Sequence, residues 1–393
     1  MSEKFLKIHF PFLACFACFA GTILFDVGAS AQDQEPIVIR GHAQSIIPVS
    51  ISGFSGEAEA VLQFDLGVLG IKVTSDNPEY LVSGSANGQL TGVLTTAGGK
   101  QVFSRIYSGG SARAQAHSFA DDIVTEVRQT APIFHSRIAF RGQRGSGNEI
   151  FVSDFDGHNP VQLTSDNTLV EGPAWVPGGR TLFYASWKSG APQILEQNLT
   201  SGSRNVFAAG AGDSYSAAIS KDGRQVAFIS NRGGSPNLWV SDISGGDARQ
   251  LTISREEDSA PTWSPDGTEI CFVHRSGRAR LRKIRASGGA EVPLQTTGAF
   301  GNVTSPDWSP DGKQIAFTVG SGNFSIWVVP AEGGEARQLV AGEDPCWAPN
   351  SRTIIFSRQA NNKHILCLLD VPTKAVKDVR QIPGSCSEPS WAR

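Results

Sequence analysis

One stretch constrains the fold of this chain more than any other, because it recurs. Pro261-Thr262-Trp263-Ser264-Pro265-Asp266-Gly267 runs into Glu269-Ile270-Cys271-Phe272, and Pro306-Asp307-Trp308-Ser309-Pro310-Asp311-Gly312 runs into Gln314-Ile315-Ala316-Phe317. Pro345-Cys346-Trp347 precedes Ile354-Ile355-Phe356, Pro173-Ala174-Trp175 precedes Leu182-Phe183-Tyr184, and Ala217-Ala218-Ile219 precedes Val226-Ala227-Phe228. With Arg137-Ile138-Ala139-Phe140, six aromatics close equivalent strands at Phe140, Tyr184, Phe228, Phe272, Phe317 and Phe356, at intervals of 44, 44, 44, 45 and 39 residues. A repeat near this length built from short apolar-alternating segments is the signature of a β-propeller, with four strands, A to D, per blade.

The two ends of the array complement one another. The first unit lacks a Pro-x-Trp segment in front of Phe140, and Pro389-Ser390-Trp391 has no strand B behind it. The expectation is a six-bladed β-propeller over 133–393 whose C-terminal strand closes the ring, leaving few edges to aggregate. Within each unit the Asp-Gly pair is a turn from A to B, the Trp fills the space between blades, and the strand B aromatic buries a large apolar area. The 43 Gly and single Met suit a chain of tight hairpins.

Ahead of the repeats, 46–130 is expected to form a small α/β domain. A strand over 46–51 precedes a helix over 56–70, three strands follow over 80–85, 89–96 and 101–108, and a second helix spans 112–130. Asn87-Gly88 and Gly98-Gly99 supply the hairpin turns, and Ala116, Phe119, Ile123 and Val127 form the apolar stripe of the second helix. Ser111 is its expected N-cap. Residues 1–31 have the plan of a signal peptide: Lys4 and Lys7, an apolar run over 10–25, then Ala29-Ser30-Ala31, which puts cleavage between Ala31 and Gln32 and the mature protein outside the cytoplasm. Residues 32–45 are an extended arm.

The formal net charge of −3 argues against a nucleic-acid partner held by a basic surface. No Gly-x-Ser-x-Gly elbow, His-Glu-x-x-His, phosphate loop or Cys-x-x-Cys pair occurs in 32–393, and the six histidines there are too dispersed for a metal. No catalytic residue, metal or cofactor is expected. His117 is read as a satisfied helix histidine, Asp154 and Asp156 as turn residues, and His274 as part of a B-to-C turn. Cys271, Cys346, Cys367 and Cys386 are read as buried small hydrophobes, with a Cys346–Cys386 bridge as the alternative.

The concave site of a propeller is the mouth of its channel. Residues just ahead of strand A are expected there, and they are polar and acidic: Asp213, Ser214, Asp258, Ser259, Asn302, Thr304, Asp344 and Glu388.

An exported chain with a small α/β domain and Trp-Ser-Pro-Asp-Gly repeats resembles the TolB family of the Tol–Pal system. The resemblance also rests on the junction, where 116–124 (AHSFADDIV) runs through Phe134 and Arg137-Ile138-Ala139-Phe140 into Ser153-Asp154-Phe155-Asp156-Gly157. It implies a non-enzymatic, periplasmic binding protein. The channel mouth would take the peptidoglycan-associated lipoprotein Pal, and the N-terminal arm, with Ile37, Val38, Ile39 and Arg40 at its centre, would engage the inner-membrane-anchored TolA. The arm departs from the acidic, Gly-containing family pattern in having Arg40-Gly41-His42. The competing class is an exported propeller enzyme of peptidase or lyase type, or a stand-alone binding propeller with other partners.

Overall fold

The computed structural model describes residues 45–145, 147–207, 212–299, 301–320, 322–382 and 384–393. The expected cleavage junction at Ala31–Gln32 and the arm residues Ile37, Val38, Ile39 and Arg40 lie outside the described residues.

The chain enters through β1 (Ile47–Ser52), α1 (Gly56–Val68), β2 (Ile71–Val73), β3 (Tyr80–Asn87), β4 (Gln89–Thr96), β5 (Gln101–Tyr107) and α2 (Ala112–Arg128). The strands form one sheet in the order β2-β1-β3-β4-β5, with β1 parallel to both neighbours and the rest antiparallel. The short β2 has no counterpart in the sequence reading. Both helices stop two residues earlier than the apolar periodicity implies, and α2 ends where Gln129 turns left-handed at φ 52°. Ser111 caps α2, its hydroxyl accepting from the Ala114 amide at 3.2 Å. The stripe of α2 is buried, and Phe119 lies so close to Gly92 that a Cβ there would meet its ring at 2.6 Å.

Six four-stranded sheets follow. Blade 1 joins both ends of the array: Cys386–Trp391 is its strand A, followed by Arg137–Arg144, Gly147–Asp154 and Val161–Gln162. Trp391 pairs with Ile138 and Cys386 with Gly142, so the ring is closed by main-chain hydrogen bonds as expected. The strands A of blades 2 to 6 are Val170–Trp175, Ser214–Ile219, Glu257–Trp263, Asn302–Trp308 and Glu343–Trp347.

The repeat residues do the physical jobs assigned to them. In blade 4, Ser264 Oγ donates to Asp266 Oδ1 at 2.6 Å, the Thr268 amide donates to the same oxygen at 3.0 Å, and Glu269 N donates back to Ser264 Oγ at 2.9 Å. Gly267 closes the turn at φ 73°, where a side chain is disfavoured. Ser220 with Asp222 and Ser309 with Asp311 repeat this pattern. The Ser264 hydroxyl holds the Asp266 carboxyl below the usual range, so the aspartate is committed to its turn. Trp263 and Trp175 each donate an indole N–H to strand A of the preceding blade, at Ala218 O (3.0 Å) and Ser390 O (3.1 Å). The six strand B aromatics are 0–1% exposed, each contributing roughly 1.5–3 kcal/mol of burial.

The α/β domain sits on one face only. Strand order fixes that face: A-to-B and C-to-D turns lie at one end of the blades, and D-to-A loops and B-to-C hairpins at the other. The α1 and α2 core is continuous with Phe155, Leu366, Leu368 and Trp391 of blades 1 and 6. His117 Nδ1 meets Asp65 Oδ2 at 2.7 Å, and Arg113 pairs with Asp156 in the C-to-D turn of blade 1. Burial, then the Arg113 charge, pushes His117 down to about 4, so it is a neutral joint residue at pH 7. Asp156 is therefore both turn and tether. The opposite face of the propeller carries no other element among the described residues.

Candidate functional site: the propeller channel

A cavity of about 590 Å³ runs along the six innermost strands. Its shape comes from a defect repeated six times. In every blade the A–B register slips in the middle of strand A. At the slip one residue adopts a left-handed backbone: Gly172 (φ 61°), Ser216 (53°), Ala260 (47°), Ser305 (49°), Asp344 (53°) and Glu388 (51°). A bulge of this kind puts an extra residue on one strand and re-aims its side chain. All six line the cavity. In five blades the next residue is proline, at Pro173, Pro261, Pro306, Pro345 and Pro389, which needs no ladder partner through its nitrogen.

The ring is chemically lopsided. On one side Gly172, Ser216 and Ala260 present almost no side chain. On the other, carboxylates link blade to blade: Ser305 Oγ donates to Asp344 Oδ1 at 3.0 Å, Glu388 N to Asp344 Oδ2 at 3.4 Å, and Gly172 N to Glu388 Oε2 at 2.8 Å. Arg141 Nη1 meets Glu388 Oε1 at 2.7 Å. Burial pushes Glu388 up to about 7 against the pull of Arg141, with Asp344 and Glu171 adding like-charge repulsion. Glu171 is also raised by burial, and Glu343, bonded to His364 Nε2 at 2.9 Å, is raised by burial and by Asp344. These carboxyls take hydrogen-bond donors readily, and Glu388 tolerates a proton near neutral pH. At the far end Arg393 pairs with Asp307 and donates from Nε to Trp347 O at 3.0 Å, next to Lys221 and Pro265.

The residues expected at the mouth divide into two sets. Asp344 and Glu388 line the cavity; Asp213, Ser214, Asp258, Ser259, Asn302 and Thr304 are not among its lining residues. Asp258 is fully buried, accepting from Thr252 Oγ1 at 2.5 Å and bonded to His274 Nδ1 at 2.8 Å. His274 belongs to strand B (Glu269–Ser276), not to a B-to-C turn, because it pairs with Asp258 across the ladder. Ser214, at the same place in blade 3, is buried against Ser230. Asp213 is tied to Asn231 at 2.6 Å, and Asn302, which is exposed, accepts from Ala279 N at 3.1 Å. Ser259 and Thr304 are half-buried in their strands. Ser216, Ala260 and Ser305 were not among the residues expected at the mouth. A signal existed, since each stands three places before the Trp-equivalent residue.

Among the described residues no group of three or more His, Cys, Asp or Glu side chains could hold a metal ion. Cys271, Cys346, Cys367 and Cys386 are free thiols, so the alternative of a Cys346–Cys386 bridge does not hold here. No described helix is long and apolar enough to cross a membrane.

A family model described as the TolB beta propeller domain matches residues 124–393. The chain belongs to the TolB beta-propeller family. Among curated relatives, the Tol-Pal system protein TolB of Mannheimia succiniciproducens is 30% identical over 175 residues, 41% of this chain and 38% of the relative. That of Desulfosudis oleivorans is 29% identical over 135 residues, 30% of this chain and 31% of the relative. These alignments thus span under two-fifths of the relatives' length. The crystal structure of TolB from Acinetobacter baumannii superposes with a TM-score of 0.79 at 20% identity, covering 88% of this chain and 97% of that one. That match shows the shared fold, α/β domain included.

Proposed function

We propose that this chain is a non-enzymatic binding protein of a Tol–Pal system, exported to the periplasm after cleavage following Ala31. The open channel mouth takes a Pal-like lipoprotein, and the arm over 32–45, centred on Ile37, Val38, Ile39 and Arg40, adds a strand to a TolA-like partner. Linking the two would support outer-membrane integrity and envelope constriction at division.

The observation that carries this reading is the lopsided channel ring. A binding site needs room beside fixed polar groups, and small residues at Gly172, Ser216 and Ala260 leave that room opposite Asp344 and Glu388. Those carboxyls are already held by neighbouring blades, so they are preorganised to accept donors from an inserted segment. The family membership and the relatives' names supply the identity of the system.

The test is recovery of partners from a periplasmic extract by the chain and two variants. Asp344→Lys with Glu388→Lys is expected to lose the Pal-like lipoprotein and keep the TolA-like partner; deletion of 32–45 is expected to do the reverse. Recovery of the lipoprotein by the double-Lys protein at wild-type level overturns the channel assignment.

A further inference from the structure

The propeller face opposite the α/β domain carries B-to-C hairpins and D-to-A loops, and its charges are unevenly spent. Lys188 pairs with Asp166 at 3.1 Å, and the Arg232 guanidinium lies 3.7 Å from the Trp239 ring centroid. Blade 4 differs. Its B-to-C hairpin has Arg275 and Arg278 around Gly277, with Arg280 opposite His274, and all three arginines are exposed. The ladder pairs Glu257 with Arg275, and the exposed Arg255 stands two residues before Glu257 in the D-to-A loop, its carbonyl accepting from Ser235 Oγ at 3.2 Å.

Only Arg275 has a carboxylate partner among the described residues, Glu257 at 3.5 Å, with both side chains about half exposed. Arg280 donates only to carbonyl oxygens, of Gly301 at 3.0 Å and Ala279 at 3.2 Å. Against the four arginines stand Glu256 and Glu257, leaving this corner positive on a chain whose formal charge is −3. Beside them two apolar side chains face solvent: Ile253, 91% exposed in the D-to-A loop, and Phe324, 52% exposed at the adjoining hairpin of blade 5.

We propose that this corner docks on an anionic lipid surface, with Arg255, Arg275, Arg278 and Arg280 on headgroup phosphates and Ile253 and Phe324 entering the headgroup boundary. Unpaired cations near an anionic bilayer and apolar tips set among them both favour that environment. An acidic protein surface would satisfy the arginines but would leave exposed the two apolar tips, which stand on separate loops. The α/β domain lies on the other face and does not obstruct the approach. This inference does not depend on the channel reading.

The experiment is flotation of the full chain with vesicles of phosphatidylcholine alone and of phosphatidylcholine with phosphatidylglycerol, at low and physiological salt. The neutral vesicles measure whatever the apolar run over 10–25 contributes. Extra binding is expected with phosphatidylglycerol, weakening with salt and unaffected by millimolar glycerol phosphate. Arg255→Glu with Arg278→Glu, two exposed side chains with no polar partner among the described residues, lowers the partition coefficient at least about tenfold. Ile253→Asp lowers it too, while Lys188→Glu elsewhere on the face leaves it unchanged; circular dichroism melts confirm that each variant is folded. Equal binding to both vesicle types, wild-type binding by the double-Glu protein, or capture of an acidic protein by the unmutated chain without vesicle binding overturns the proposal.

Discussion

Asp258 is the residue on which a surface reading and a structural reading of this propeller diverge most sharply. Replacing it with Ala removes a buried carboxylate that accepts from Thr252 Oγ1 and is bonded to His274 Nδ1. Thr252 is itself 4% exposed, and its hydroxyl also accepts from Leu238 N at 2.9 Å and reaches Asn237 Oδ1 at 3.4 Å, so the substitution leaves the hydroxyl only that longer bond and the imidazole without its carboxylate. Two hydrogen bonds to a charged acceptor, at about 1.5–3 kcal/mol each, make the loss roughly 3–5 kcal/mol. Urea denaturation followed by circular dichroism should show a loss in that range, and Asp258→Asn, which keeps one acceptor, about half of it. A double-mutant cycle with Thr252→Val should give a coupling of about 1 kcal/mol or more. Partner recovery by Asp258→Asn should match wild type at temperatures where the protein is folded. A cost below about 1 kcal/mol together with lost partner binding would refute the tether and return Asp258 to the mouth.

Three further outcomes follow from the same geometry. Ala260→Gly relieves a left-handed alanine at φ 47° and should raise stability by about 0.5–1 kcal/mol, whereas Ala227→Gly in a regular strand B should lower it; opposite signs in urea melts check the bulge. Trp391→Ala removes a 2%-exposed indole and its 2.7 Å bond to Ser136, at a cost of about 3–5 kcal/mol, and should shift the unfolding of the α/β domain and the ring together because both share that core. Glu388 has its carboxyl raised to about 7 from an ordinary 4.5, so the folded state binds its proton more tightly; its contribution to stability grows as pH falls from about 7 towards 4.5 and is lost above 7. Comparison of wild type with Glu388→Gln across that range should isolate this slope, and parallel curves would show that the group is not buried as described.

The period, the closed ring and the turn chemistry were legible because each rests on local signals that agree. Trp-Ser-Pro-Asp-Gly specifies a turn by its own hydrogen bonds, and the unpaired Pro389-Ser390-Trp391 specifies the closing strand. The channel lining was less legible, for a physical reason. A one-residue slip in a strand exchanges its two faces, and every strand A contains such a slip. Simple alternation would put Asp258 and Ala260 on one face, whereas the slip leaves Ala260 in the channel and Asp258 buried. Asp344 and Glu388 entered the expected set as acidic residues near the mouth, but their structural equivalent is Ala260, not Asp258. Asp258 is matched in blade 3 by Ser214, and both are buried. The roles of His117 and Asp156 were hidden for another reason. Asp65 stands 52 residues before His117 on the other helix of the same domain, and Arg113 lies in a different domain from Asp156, so no local pattern announces either contact.

The central claim is that partners enter the channel past the six left-handed positions. Its most direct measurement places a photo-crosslinking side chain at Ser305, inside the ring, and in a second protein at Val161, 56% exposed on the outermost strand of blade 1. Irradiated in periplasmic extract, the Ser305 protein should crosslink to a lipoprotein of Pal type and the Val161 protein should not. Crosslinking from Val161 with none from Ser305 would contradict the account.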